Sequence, residues 1–180
     1  MFRRGDVLVD RRTSAKLLPR RPVLLVVAGE GGHLEQAKRF SVLAAAEEVD
    51  PIIVTEATLQ GPSTDYQTIY RWNISRWTKT RGLAARISTF VLAIAEFFRA
   101  PLLLRKYRPI GIVAFGPLFC VPLAIAARLL GYKIVFVETW SKFQSKTKTG
   151  AILEGVVNRV YVQNRSLMAA FKNSKYAGRL

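Results

Sequence analysis

The only histidine of the chain, His33, stands directly after two glycines in the segment Gly29-Glu30-Gly31-Gly32-His33. A loop with so few side chains lets backbone N–H groups approach a phosphate or a sugar ring, and a histidine exchanges protons near neutral pH. The glycines do not match a dinucleotide-binding fingerprint, and the lysine of a P-loop is missing. A tight turn without function is the alternative, but a histidine at the start of a predicted helix favours a functional role.

A second candidate for chemistry is Glu138, which follows the apolar segment 133–137. If the strand before Glu138 lies near the strand before His33, a carboxylate stands at the mouth of a cleft beside the histidine, and the pair can deprotonate a hydroxyl. The alternative is a structural acid that accepts hydrogen bonds from neighbouring backbone or from Lys142. The sequence favours neither interpretation over the other.

The elements around these residues alternate between strands and helices. Apolar, β-branched runs predict strands over 23–28, 51–56, 66–72, 110–115, 133–137 and 159–163, and helical periodicity predicts helices over 34–48, 83–107, 118–130 and 150–158. This alternation predicts a Rossmann-like parallel sheet with helices on both faces, in which ligands bind outside the carboxyl ends of the strands. The candidate substrate-binding residues at those ends are Gly29, Glu30, Gly31, Gly32, Gly116, Pro117, Thr139 and Ser141.

The composition describes one folded domain with a strongly basic surface. Of 180 residues, 28 are Lys or Arg and 12 are Asp or Glu, so the net charge is +16, which attracts phosphates, nucleic acid or anionic lipid. We expect a basic arm over 1–21 and a single domain over 22–180. One cysteine, Cys120, excludes an internal disulfide, and one histidine with one cysteine cannot form the usual zinc clusters, so we expect no metal and no cofactor.

Two segments bear on membrane attachment. The first 21 residues lack the hydrophobic region of a secretory signal, so export is not expected. Residues 110–127 are uncharged and reach the length at which a membrane-spanning helix must be considered, but Gly111, Gly116, Pro117 and Pro122 interrupt them. These glycines and prolines predict a buried strand followed by a helix.

The predicted helix 83–107 is amphipathic and basic. We expect it to contact an anionic membrane surface through bulky apolar side chains flanked by cations. The alternative is a core helix with a solvated basic face. RNA binding is a competing use of the charge, but no nucleic-acid-binding motif accompanies it, so we expect no nucleic-acid partner. The proposed membrane-contact residues are Trp77, Arg86, Phe90, Ile94, Phe97, Phe98 and Arg99.

Several segments in this order resemble a known family. They are 23–33, with its Gly-Gly-His; 115–117, Phe-Gly-Pro; 131–142, with Glu-Thr-Trp-Ser-Lys; and 162–163 followed by 175–180. Over residues 22–180 the chain resembles PssD-type subunits of bacterial polysaccharide glycosyltransferases and the membrane-anchoring subunit of the dolichol-linked N-acetylglucosaminyltransferase. Both are similar to the N-terminal, acceptor half of MurG-like GT-B enzymes. In the family the other half is a separate small chain that supplies most of the UDP-sugar site.

The resemblance implies an inverting transfer, without a metal, from a UDP-sugar to a saccharide on a polyprenyl diphosphate in exopolysaccharide or capsule biosynthesis. It implies that this chain binds the acceptor, attaches peripherally or monotopically to the cytoplasmic face of the inner membrane, and needs the partner chain for activity. His33 and Glu138 match the family's histidine and acid. Glu30 departs from the family by replacing a small residue, and the basic arm replaces a hydrophobic anchor. A non-catalytic membrane scaffold that recruits the catalytic chain is the alternative, and the donated sugar is left open.

Overall fold

A single parallel sheet forms the centre of the domain. The structure, a computed structural model, describes residues 21–29, 31–56, 69–72 and 83–180. The strands are β1 Val23–Ala28, β2 Asp50–Glu56, β3 Ile69–Trp72, β4 Gly111–Phe115, β5 Ile134–Val137, β6 Arg159–Val162 and β7 Ser174–Tyr176. The helices are α1 Gly32–Ala46, α2 Leu83–Tyr107, α3 Cys120–Leu129 and α4 Lys148–Leu153, followed by a 3₁₀ helix at Arg165–Ala169.

The seven strands lie in the order β3-β2-β1-β4-β5-β6-β7, and every neighbouring pair is parallel. The predicted alternation of strands and helices is therefore confirmed. The prediction that the strand near 159 is the last is wrong, because β7 pairs with β6 at the edge of the sheet. This strand has only three residues and is mostly exposed, so the sequence contains no apolar pattern from which it could be predicted.

Helices cover both faces of the sheet. On one face, alternate strand residues such as Leu25, Ile112 and Phe136 pack against α2, α3 and α4. On the other face, Val26 and Phe115 pack against α1. Burial on both sides explains why the central strands read as continuous apolar runs rather than alternating ones.

The uncharged segment 110–127 forms β4 and α3, as predicted, and the turn between them contains Gly116 and Pro117. In the described part of the chain, no helix combines the length and the apolarity that crossing a bilayer requires. The predicted helix 150–158 is wrong at both ends. Its observed counterpart, α4, begins at Lys148 because the Thr147 hydroxyl caps it by accepting from Gly150 N at 2.9 Å, and it ends at Leu153.

The basic arm lies outside the described residues except for Arg21, and so do the predicted loop 57–65 and residues 66–68 of the predicted third strand. The remainder of that strand is β3. The helix predicted over 83–107 is confirmed as α2, with the same bounds.

Candidate functional site

The candidate residues converge because their strands are neighbours. In the order β1-β4-β5-β6, each strand ends at the same edge of the sheet, so the predicted candidate segments after β1, β4 and β5 share that edge. Gly29 follows β1, Gly116 follows β4, Glu138 follows β5 and Gln163 follows β6. The predicted rim of the cleft is thus one continuous edge, but β4 separates the strand before His33 from the strand before Glu138.

His33 lies in the first turn of α1 and its ring packs against Gly116. A Cβ atom built on Gly116 would lie 2.3 Å from both Cγ and Nδ1 of His33, so only glycine leaves room for the imidazole. Gly116 also has a φ of 91°, which side-chain-bearing residues rarely adopt. Burial lowers the pKa of His33, which favours the neutral form of the ring.

The glycine loop meets the turn after β4 at close range. A Cβ on Gly29 would lie 2.3 Å from Cγ of Pro117, which requires glycine at this position as well. Gly31 and Gly32 are exposed, and no side chain caps α1. The first N–H groups of a helix lack partners within the helix, so this end of α1 presents donors to an anionic or hydroxyl-bearing ligand. Glu30 lies outside the described residues.

Glu138 is completely buried, with 0% of its surface exposed. One carboxylate oxygen accepts a hydrogen bond from Thr139 N at 2.9 Å. The other accepts from Thr147 N at 3.1 Å and from the Thr147 hydroxyl at 3.0 Å. The expected position at the mouth of a cleft is therefore wrong, because this carboxylate is occupied in holding the loop that returns from β5 to α4. These contacts favour the structural alternative, with Thr147 rather than Lys142 as the partner, while the assignment of Glu138 as a base stays a prediction.

The loop after β5 brings hydroxyl and aromatic groups to the rim. The Thr139 and Ser141 hydroxyls lie 3.1 Å apart, and Ser141 is exposed whereas Thr139 is buried. The half-exposed Trp140 has its indole Nε1 3.9 Å from the place that a Cβ on Gly32 would occupy. The loop after β5 therefore borders the glycine loop, and Trp140 is a rim residue that the sequence did not single out as substrate-binding.

A buried polar network behind the rim was also missed from the sequence. Gln163 Nε2 donates to Gln36 Oε1 and to the backbone oxygen of Glu138, each at 3.0 Å. Asn164 Nδ2 donates to the backbone oxygen of Trp140 at 2.8 Å. Gln36 lies 127 positions away from Gln163 along the chain, and no local pattern signals such a contact. The network ties α1 to the ends of β5 and β6.

Helix α2 carries an exposed apolar stripe. Its exposed members are Ile87, Phe90, Val91, Ile94, Phe98 and Leu102. Arg99 is exposed beside them, and Arg105 and Lys106 follow in the last turn. Of the predicted membrane-contact residues, Phe97 packs partly against the core instead, whereas Trp77 and the side chain of Arg86 lie outside the described residues.

Within the residues that the structure describes, no cluster of three or more His, Cys, Asp or Glu side chains is disposed to hold a metal ion. Among the described residues, the polar groups at the rim include the imidazole of His33, the hydroxyl of Ser141, the indole N–H of Trp140 and the N–H groups at the start of α1. This set suits hydrogen bonding to hydroxyl or phosphate oxygens.

A family model described as "Oligosaccharide biosynthesis protein Alg14 like" matches residues 24–180, which is most of the chain. The chain belongs to this Alg14-like family. The resemblance to the membrane-anchoring subunit is thereby confirmed at the level of the family, while the PssD-type assignment is not confirmed. The Alg14-like domain covers the sheet from β1 through β7 together with the whole candidate site.

Individual relatives are consistent with this membership. The Alg14-like chain is 28% identical to the UDP-N-acetylglucosamine transferase subunit ALG14 of Yarrowia lipolytica over 87% of its own length and 80% of that protein. It is also 28% identical to ALG14 of Mus musculus, over 87% of its own length and 82% of the mouse protein. With the pyrophosphoryl-undecaprenol N-acetylglucosamine transferase of Xylella fastidiosa it shares 27% identity over 78% of its own length but only 38% of that enzyme.

Solved structures extend the comparison to the fold. MurG of Acinetobacter baumannii superposes with a TM-score of 0.60 and 21% identity over 79% of the Alg14-like chain and 41% of MurG. LpCGTa in complex with UDP superposes with a TM-score of 0.60 and 9% identity, over 89% of the Alg14-like chain and 53% of LpCGTa. The fold is the Rossmann-like half that forms the N-terminal part of GT-B glycosyltransferases such as MurG, as the sequence predicted.

Proposed function

We propose that this chain is the acceptor-binding and membrane-attached subunit of a two-chain glycosyltransferase that uses a UDP-sugar and a polyprenyl-diphosphate-linked saccharide. The single observation that carries the proposal is the position of His33, held by Gly116 at the edge of an exposed glycine loop. A neutral imidazole there can contact the attacking hydroxyl or a diphosphate oxygen of the acceptor, either as a base or as a hydrogen-bond partner.

Two features support the need for a partner. The relatives of similar length are named as subunits, and the matched MurG structure is more than twice as long as the part this chain covers. In this proposal the described residues form the acceptor side of a GT-B cleft, and the partner supplies the donor side. The names of the relatives favour UDP-N-acetylglucosamine as donor, whereas a role in exopolysaccharide or capsule biosynthesis remains a prediction from the PssD resemblance.

Attachment to the membrane follows from α2 in this proposal. The exposed apolar stripe and its neighbouring cations match the composition of a helix that lies in an anionic membrane surface. A peripheral position at the cytoplasmic face would bring the rim of the sheet to a lipid-linked acceptor without a spanning helix in the described residues.

Reconstitution tests the proposal. Transfer of the sugar to a lipid-linked acceptor is measured for this chain alone, for the partner alone and for both together. We expect activity only from the mixture, and His33→Ala should lower that activity by about 10²-fold or more, because a positioned proton-transfer group or hydrogen-bond donor contributes at least that much. Glu35→Ala, which changes an exposed residue in the same turn of α1, is the matched control and should leave transfer unchanged.

The non-catalytic scaffold is the second candidate, and the burial of Glu138 favours it, because a fully occupied carboxylate is free for no other task. If the assembled complex with His33→Ala transfers sugar within a few-fold of the wild-type rate, the scaffold is correct. Full activity of this chain without a partner contradicts both candidates.

A further inference from the structure

Among the described residues, two buried polar atoms on one side of α1 have no hydrogen-bond partner. They are Nδ1 of His33 and Nε2 of Gln36, and the Gln36 side chain is only 3% exposed. Residues three apart on a helix are neighbours on its surface. The two partnerless groups therefore lie in successive turns of the same helix, directly behind the glycine loop.

Hydrogen bonds farther from the rim determine which way the Gln36 amide is turned. The backbone oxygen of Glu138 can only accept, and it accepts from Gln163 Nε2 at 3.0 Å. The backbone N–H of Leu180 can only donate, and it donates to Gln163 Oε1 at 3.0 Å. The Gln163 amide is thus oriented without ambiguity, and its Nε2 faces Oε1 of Gln36 at 3.0 Å. The NH₂ group of Gln36 must then be the end that is turned away from Gln163.

The hydrogen bond at one imidazole nitrogen decides which nitrogen of a neutral histidine carries the proton. A histidine that serves as a base through Nε2 usually donates from Nδ1–H to a carbonyl or carboxylate oxygen, which holds it in that tautomer. Among the described residues, no group forms a hydrogen bond with His33 Nδ1. The nearest unsatisfied group along α1 is a donor, the NH₂ of Gln36.

We propose that Gln36 is a positioning residue that donates to Nδ1 of His33, so that Nε2 carries the proton and His33 acts as a hydrogen-bond donor rather than as a base. The contact forms by a change in side-chain torsion or through one bridging water, and a water that accepts from Gln36 also donates to Nδ1. Gln163 supports the arrangement by holding the other end of the Gln36 amide.

The inference chooses between the two roles that the proposed function leaves to His33, and it rests on that function only for the identity of the contacted oxygen. A neutral Nε2–H at the rim donates to a diphosphate or hydroxyl oxygen of the acceptor. It stabilises negative charge there without a proton changing place on the imidazole. Deprotonation of the attacking hydroxyl then falls to another group of the assembled complex.

The single histidine makes the inference directly measurable. Nitrogen NMR of the full-length chain, with labelled histidine and at a pH where the ring is neutral, reports the ratio of the two tautomers. We expect the Nε2–H form to predominate. Gln36→Glu places an acceptor where the amide donated, and we expect it to shift the ratio toward Nδ1–H by about tenfold or more, which corresponds to the reversal of one hydrogen bond. Gln36→Met, which neither donates nor accepts strongly, should give an intermediate ratio.

Gln144→Glu is the matched control, because it adds the same charge at an exposed glutamine and should leave the tautomer ratio unchanged. The inference is overturned if the wild-type ring is in the Nδ1–H form, or if folded Gln36 variants keep the wild-type ratio. Should Gln36→Glu fail to fold, Gln36→Met and the wild-type ratio decide. Since none of these spectra depends on sugar transfer, an inactive complex with the expected tautomers would refute the proposed function and leave the role of Gln36 intact.

Discussion

The backbone of Gly116, at the end of β4, lies against the imidazole of His33, at the start of α1. The Cβ position of Gly116 falls 2.3 Å from Nδ1, closer than any real Cβ can approach a nitrogen atom. The turn after β4 and the start of α1, which are 83 residues apart in the chain, thereby pack against each other through Gly116 and His33. This fit defines the orientation of the only histidine at the rim.

The replacement Gly116→Ala should displace His33. The new Cβ has to push the ring aside, and the positive φ of 91° adds backbone strain of about 1 kcal/mol. Gly131→Ala is the matched control, because Gly131 has a φ of 81° but no neighbour within 4 Å of its Cβ position. We expect both variants to lose about 1 kcal/mol of unfolding free energy from strain. Only Gly116→Ala should also move the histidine NMR signals and lower transfer by about 10²-fold. If the two variants give the same histidine NMR signals and the same transfer rate, the contact between Gly116 and His33 is contradicted.

The replacement Glu138→Gln should destabilise the domain. An amide has one oxygen fewer than the carboxylate, so its NH₂ group would face at least one of the donors from Thr139 and Thr147. We expect the free energy of unfolding to fall by about 2–3 kcal/mol, as measured by urea denaturation, because hydrogen bonds to a buried charged group are the strong ones. Glu35→Gln, at an exposed carboxylate, should change it by less than about 0.5 kcal/mol.

The same variant also tests the catalytic assignment of Glu138. If Glu138→Gln keeps the wild-type stability and yet abolishes transfer by the assembled complex, the carboxylate acts as a base and the structural interpretation is wrong. A loss of stability with a few-fold change in transfer supports the structural interpretation.

Binding of α2 to a membrane should depend on its exposed phenylalanines. Phe90 is 67% exposed and Phe98 is 69% exposed, so they are better targets than Phe97. We expect the double replacement Phe90→Ser and Phe98→Ser to weaken sedimentation with anionic vesicles by about tenfold or more, because each ring transferred from water contributes more than about 1 kcal/mol. Binding should also weaken as salt rises.

The control for that prediction replaces Val42 and Leu43 of α1 by Ser. Both are more than half exposed, at 57% and 58%, but they lie across the sheet from α2. Equal vesicle binding by the wild type and both double variants would remove the membrane role of α2. Strongly salt-dependent affinity for RNA with no affinity for vesicles would favour the nucleic-acid use of the net positive charge.

Glu96, on the buried side of α2, should make stability depend on pH. Its side chain is 3% exposed, one oxygen has no hydrogen-bond partner among the described residues, and the other lies 3.5 Å from an Arg99 nitrogen. Burial raises the pKa of Glu96, although the charge of Arg99 opposes this shift. The folded chain therefore keeps this proton to higher pH than the unfolded chain does. The resulting contribution to the free energy of unfolding is present at low pH and is lost as pH rises through the folded-state pKa.

We expect Glu96→Gln to match the wild type in unfolding free energy at a pH below the ordinary glutamate pKa, where both side chains are neutral. At pH 8 the variant should be the more stable of the two, because the unfolded wild type is ionised there while its folded state must either keep the proton or bury a charge. Urea denaturation at the two pH values provides the measurement, with Glu35→Gln as the exposed control. A variant that is less stable than the wild type at pH 8 would show that the ion pair with Arg99 outweighs the burial of the charge.

Local patterns in the sequence determined most of the architecture. The alternation of apolar runs with helical periodicity was sufficient for six of the seven strands, for the amphipathic α2 and for the division of residues 110–127 into β4 and α3. It also located the rim, because in a parallel sheet the segments after the strands share one edge. These features depend on residues close together in the chain, so they can be read without knowledge of the fold.

Only the tertiary structure decided which rim residues meet. Hydrophobic periodicity does not specify strand order, so the insertion of β4 between β1 and β5, which separates Glu138 from His33, was not available from the sequence. A carboxylate after a strand has the same local signature whether it faces a cleft or binds Thr147, and a helical glutamine gives no sign of a partner as distant as Gln163. Burial and hydrogen bonding depend on long-range packing. That packing buries the Glu138 carboxylate against Thr139 and Thr147 and leaves His33 at the rim.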